Sequence, residues 1–126
     1  MIVSNATPLI YLAKIERLEL LKKAFKEVAI SEEVKKEVVD EGKRLHKSDA
    51  LLVENAIEAG WIKVKKASSL AEIQWDIEKG EKSVIALAKE TGTKEALIDE
   101  AAARTAAKLS GLIPRGTVFV LLKALK

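Results

Sequence analysis

The sequence predicts a small three-layer α/β/α domain around a central parallel sheet of about five short strands. Short apolar runs alternate with segments of helical periodicity, and the segments between runs are long enough to be crossover helices. The chain also lacks internal repeats and Gly/Ser linkers, so a single domain spans residues 1–126. Right-handed crossovers would bring the carboxyl ends of all strands to one edge.

Ile2–Ser4 reads as the first strand. Thr7-Pro8 reads as the start of a helix, with Thr7 as cap and Pro8 in the first turn, where a missing N–H costs nothing. Leu9, Leu12 and Ala13 share one face of this helix, which continues past a kink near Ile15 to Phe25. Val28–Ile30 is the second strand, and Ser31 caps a helix carrying Glu32 and Glu33 in its first turn. Ser48 caps a helix that runs to Ala59 and stops at Gly60; Trp61–Val64 follows as strand three. Leu70, Ile73 and Ile77 predict a helix opened by Ser68 or Ser69 and closed by Gly80, then a second from Glu81 to Thr91. Ala96–Ile98 is strand four, ending at Asp99-Glu100, and a helix reaches Ser110. Leu112–Ile113 is strand five, and Thr117 caps the last helix.

Composition narrows the chemistry. Without cysteine, neither a disulfide framework nor a zinc-thiolate site can form. The one histidine, His46, falls in a polar stretch and reads as a surface residue, so no Ser-His-Asp or Cys-His arrangement is available. A net charge of +3 tilts the surface mildly towards anionic partners such as nucleic acid. No apolar run approaches a membrane span and no signal peptide precedes the first strand, so a soluble cytoplasmic protein without a membrane partner is expected. The first βα turn lacks the G-x-G-x-x-G of dinucleotide sites. A phospho-acceptor domain is disfavoured, since strand one carries no acid and strand three ends at Val64-Lys65.

The carboxyl edge of an open α/β sheet is where ligands sit, so the polar groups it collects are the candidates. Asn5 ends strand one, and Asp99 with Glu100 ends strand four. Glu81 opens a helix after Gly80, and Glu37 adjoins the apolar side marked by Val34 and Val38. Each also has an ordinary structural reading: Asn5 as a turn residue, Glu37 as an exposed helix acid, Glu81 as a first-turn acid, Asp99 as a helix cap. Clustered carboxylates repel one another unless a cation or shared proton intervenes. Oxygen ligands without His or Cys suit Mg²⁺ or Mn²⁺.

Val3-Ser-Asn-Ala-Thr-Pro-Leu-Ile-Tyr-Leu-Ala-Lys-Ile15, Val34-x-x-Glu37-Val38, Gly80-Glu81 with Ile85-Ala-Leu-Ala88, and Leu97-Ile-Asp-Glu100 with Arg104 occur in that order. Together they resemble the PIN-domain superfamily over nearly the whole chain, with the small prokaryotic VapC-like nucleic-acid-binding proteins as the nearest branch. The resemblance implies an Mg²⁺- or Mn²⁺-dependent ribonuclease acting on RNA. It also implies the toxin half of a toxin–antitoxin pair, with an antitoxin protein partner and a homodimer. By position it puts Glu37, Glu81 and Asp99 in catalysis and adds Asn5 and Glu100 to the metal ligands. Thr7, Arg104 and Arg115 are the candidates for substrate contact. Two departures stand out: an amide, Asn5, at the strand-one acid, and Lys82-Ser83 where the branch often carries a second acid after Gly-Glu. The alternative is a PIN-like module that has lost tight metal binding and works by binding RNA or protein.

Overall fold

The computed structural model describes residues 1–125. Its order is β1 (Ile2–Ser4), α1 (Ala6–Lys14), α2 (Glu19–Phe25), β2 (Val28–Ser31), α3 (Glu32–Lys35), a π-helical turn (Lys36–Asp40), α4 (Glu41–Arg44) and α5 (Ser48–Glu58). There follow β3 (Ile62–Lys65), a 3₁₀ turn (Leu70–Glu72), α6 (Lys79–Thr91), β4 (Glu95–Leu97), α7 (Ala101–Leu109), β5 (Ile113–Arg115) and α8 (Thr117–Ala124). The five strands form one sheet in the order β3-β2-β1-β4-β5, and every pairing is parallel. No helix among the described residues is long and apolar enough to cross a membrane.

Strand order sets the site. From β1 the chain builds outward to β2 and β3, then returns to β4 on the other side, so β1 and β4 flank the topological switch point. That is where an open α/β sheet leaves a crevice at its carboxyl edge. Asn5 donates its backbone N–H to the Leu97 carbonyl at 2.9 Å, which carries the β1–β4 pairing to the lip of this crevice.

β1, β2 and the apolar part of β4 are buried, as strands covered on both faces must be. Leu9 and Leu12 of α1, Val84, Ile85 and Leu87 of α6, and Ala103 and Ala107 of α7 join them in one core. α6 lies against β2, β1 and β4, while α1 packs on α5 and α2 on α8. β5 contains Pro114, which cannot donate to a ladder and is tolerated at a sheet edge.

Several boundaries differ from those the sequence suggests. α1 begins at Ala6, so Asn5 is its N-cap and the Thr7 hydroxyl is released for other work. Lys47 and Gly116, not Ser48 and Thr117, hold the cap positions of α5 and α8. Ser31 is a true cap: its Oγ accepts the Val34 N–H at 3.0 Å. The expected helix from Ser68 to Gly80 is reduced to one 3₁₀ turn, because tertiary contacts outweigh the local periodicity. The Glu90 carboxylate takes the backbone N–H groups of Ser68 and Ser69 and both their hydroxyls, while Ile73 turns extended into the core.

Glu90 is at the surface, yet hydrogen bonds from the Ser69 hydroxyl and the Ser68 backbone hold its pKa down at about 2. A depressed carboxylate stabilises the fold above the ordinary glutamate range and loses that contribution as pH falls towards 2. A ¹³C NMR titration should therefore find Glu90 ionised well below pH 4, and Glu90→Gln should make the 66–78 segment more open to protease at neutral pH. An ordinary Glu90 midpoint together with unchanged proteolysis would contradict this anchor.

Candidate active site

At the crevice beside β1 lies a small cleft lined by Asn5, Ala6, Thr7, Glu37, Glu78, Glu81 and Glu100. Four of these are carboxylates, and no lining residue is basic. The four acids arrive from three elements, each for a local reason. Asn5 stands at the N-cap position of α1 where β1 ends, and Glu100 at that of α7 after β4, with both side chains free of the helix N–H groups.

Glu78 and Glu81 form a reciprocal capping box at the start of α6: each side chain accepts the other's backbone N–H, the Glu78 N–H reaching Glu81 Oε1 at 3.0 Å. Glu37 lies in the π-helical turn, whose extra residue alters the direction of a side chain relative to a regular helix. Its Oε1 sits 3.2 Å from where a Cβ on Gly80 would be. A side chain at position 80 would therefore crowd Glu37, and glycine gives it room.

Glu100 is the most constrained acid. The Thr7 hydroxyl donates to its Oε1, and the Asn5 amide donates to its Oε2 at 3.3 Å. This is where the amide at position 5 matters: an aspartate there would face Glu100 with like charge and no proton to share.

The electrostatics follow from crowding. Although Glu37 is exposed overall, its carboxylate lies in a concave surface, and desolvation pushes its pKa up; the charges of Glu78, Glu100 and Glu81 push the same way. Glu81 is also raised, first by desolvation and then by Glu100 and Glu78, against an opposing hydrogen bond from the Glu78 backbone. The donor set is all oxygen and unneutralised, which fits a hard divalent cation in kind. Among the described residues, however, no three acidic or histidine side chains converge closely enough to enclose an ion as they are arranged.

Other expected site residues are placed elsewhere. Both Asp99 oxygens are engaged at the start of α8: Oδ1 accepts the Thr117 N–H at 2.8 Å and Oδ2 accepts the Thr117 hydroxyl at 2.6 Å. Asp99 thus satisfies a helix N-terminus in this arrangement and does not line the cleft. Arg104 donates to the Ile98 carbonyl at 2.8 Å. Arg115 pairs with Glu95 at 2.8 Å and stacks over Phe119 at 4.4 Å, so both arginines are tied into structural contacts. Glu78 is the lining residue that the sequence reading missed. The reciprocal Glu78-x-x-Glu81 spacing was the signal, hidden because the preceding segment reads as a helix running up to Gly80.

A family model described as DUF3368: PIN domain matches residues 1–126. No curated protein and no solved structure matches the chain.

A raised carboxyl pKa stabilises the fold below the ordinary range and loses that contribution as pH rises through the elevated value. Glu37 should accordingly titrate above free glutamate in EDTA, and Glu78→Gln should move its NMR midpoint down, leaving the desolvation part in place. A Glu37 midpoint unchanged by Glu78→Gln would show that the two charges do not share the cleft.

Proposed function

The chain belongs to the PIN-domain family DUF3368, a nuclease-type fold, and from that membership and its acidic cleft we propose that it is a metal-dependent ribonuclease. The observation that carries this reading is that Glu37, Glu78, Glu81 and Glu100 line one cleft at the switch point with no basic residue among them. Such a site is short of positive charge, which a divalent ion would supply.

Glu37, Glu81 and Glu100 would hold Mg²⁺ or Mn²⁺, with the Asn5 carbonyl as a neutral partner. Asp99 would join them on leaving Thr117. A bound ion would lower the pKa of a water, polarise a phosphoryl oxygen and steady the leaving oxygen of a phosphodiester. The chain's own residues prepare for this. Thr7 and Asn5 hold Glu100 in place, and the capping box fixes Glu81 at the mouth of α6. One carboxylate of the cleft would serve as general base towards the attacking water.

Arg104 and Arg115 would contribute positive potential to the β4–β5 side while keeping their structural partners. In this reading the protein is a cytoplasmic toxin component, with an antitoxin partner and a homodimeric state, as the family resemblance implies. Exposed Val118, Leu122 and Leu125, on one stripe of the last helical segment, support a protein-contact surface. A second reading, an RNA- or protein-binding PIN module with weak catalysis, is favoured by the Asn5–Glu100 hydrogen bond, which steadies the cleft without an ion.

A mixed RNA pool separates the two. Cleavage with Mn²⁺ or Mg²⁺ that stops in EDTA and falls at least tenfold in Glu37→Gln and Glu81→Gln is the expected result. RNA left intact with either ion, but retained on the protein in EDTA, would replace the nuclease with the binding module.

A further inference from the structure

Ser31 and Ser83 are fully buried, and neither belongs to the cleft lining. Their hydroxyls are 2.6 Å apart. The direction of each proton follows from the remaining partners. Ser83 donates to the Gly80 carbonyl, so its single proton is committed and Ser31 must donate to Ser83. Ser31 in turn accepts the Val34 N–H. The result is a one-way relay: Val34 N–H to Ser31, Ser31 to Ser83, Ser83 to Gly80 C=O.

Both ends of this relay are joined to the acidic cleft. Ser31 and Val34 fix the start of the helical segment that carries Glu37, through α3 into the π-helical turn. Gly80 precedes Glu81, and it is the residue against which Glu37 Oε1 lies. β2 and α6 are otherwise joined by apolar packing, which is tolerant of small slides. Hydrogen bonds are directional and set spacing.

Stability gives a reason for Ser31, which caps α3, but little for its bond to Ser83, since a buried hydroxyl pair adds only a modest net amount to stability. We propose that Ser31 and Ser83 are positioning residues that fix the first turn of α6 against the Glu37 segment, and so set the spacing of Glu37 and Glu81 for a divalent cation. This rests on the reading of the cleft as a cation site. It gives the departure at Ser83 a role: the position contributes a hydrogen bond behind the ligands instead of another acid among them.

The test uses Ser83→Ala, Ser31→Ala, the double alanine variant and Ser83→Thr, which keeps a hydroxyl. Calorimetry with Mn²⁺ alone should show affinity reduced about tenfold in Ser83→Ala, the order found for residues that orient metal ligands. Ser83→Ala keeps the Ser31 cap and should stay close to the native protein in thermal stability, the double variant should bind no better than Ser83→Ala, and Ser83→Thr should recover most of the binding. Native Mn²⁺ affinity in Ser83→Ala would overturn the proposal and leave the serines a capping and packing role.

A metal-free readout separates this outcome from failure of the cation reading. At one fixed pH in EDTA, the carboxyl ¹³C shifts of both Glu37 and Glu81 should move in Ser83→Ala and return in Ser83→Thr. Unmoved shifts would overturn the positioning role. Native protein that binds no Mn²⁺ but shows those shifts would instead overturn the cation reading while the relay's hold on the two acids stands.

Discussion

Mutual repulsion among four carboxylates is the constraint on which the rest of the site depends. Glu37, Glu78, Glu81 and Glu100 line one cleft without a basic neighbour, and the pKa values of Glu37 and Glu81 are raised first by desolvation and further by the neighbouring charges. A fold with freedom to separate these groups would do so. This one holds them by local means: a capping box for Glu78 and Glu81, hydrogen bonds from Thr7 and Asn5 for Glu100, a π-helical turn for Glu37. Helix N-termini favour nearby negative charge, so three of the four acids are partly compensated where they stand.

The amide at position 5 changes the balance. Asn5 can donate to Glu100, and with Thr7 it gives that carboxylate two hydrogen bonds that need no ion. An acid in its place would add a fifth negative charge and withdraw a donor. The cleft is therefore less dependent on a cation for its integrity than an all-acid set, and its affinity for one should be correspondingly lower. Asp99 shows the same economy of charge, with both oxygens committed to Thr117 at the start of α8.

The architecture was largely legible because it rests on period and punctuation. Alternating apolar runs and helical segments give five parallel strands, and the positions of Asn5 and Glu100 at the carboxyl edge follow from where β1 and β4 stop. What resisted reading depends on contacts between distant residues. Leu70, Ile73 and Ile77 have helical spacing, but Glu90, far along the chain, captures Ser68 and Ser69 and leaves one 3₁₀ turn. Asp99 offers the same carboxylate to a ligand or a cap, and only the approach of Thr117 decides between them. Glu78 was obscured by the same false helix, and the π-helical turn at Glu37 has no periodic signature. Ser31 was legible as a cap; its second partner, Ser83, lies 52 residues away.

As a proposed divalent-cation site, the cleft is one charge short because of Asn5. Titrating Mn²⁺ into the native protein and into Asn5→Asp by calorimetry tests this. Saturable binding to both is expected, tighter in Asn5→Asp, with the variant less heat-stable than the native protein in EDTA and recovering when Mn²⁺ is added. Absence of binding to either protein, or an affinity that Asn5→Asp leaves unchanged or weakens, would contradict it.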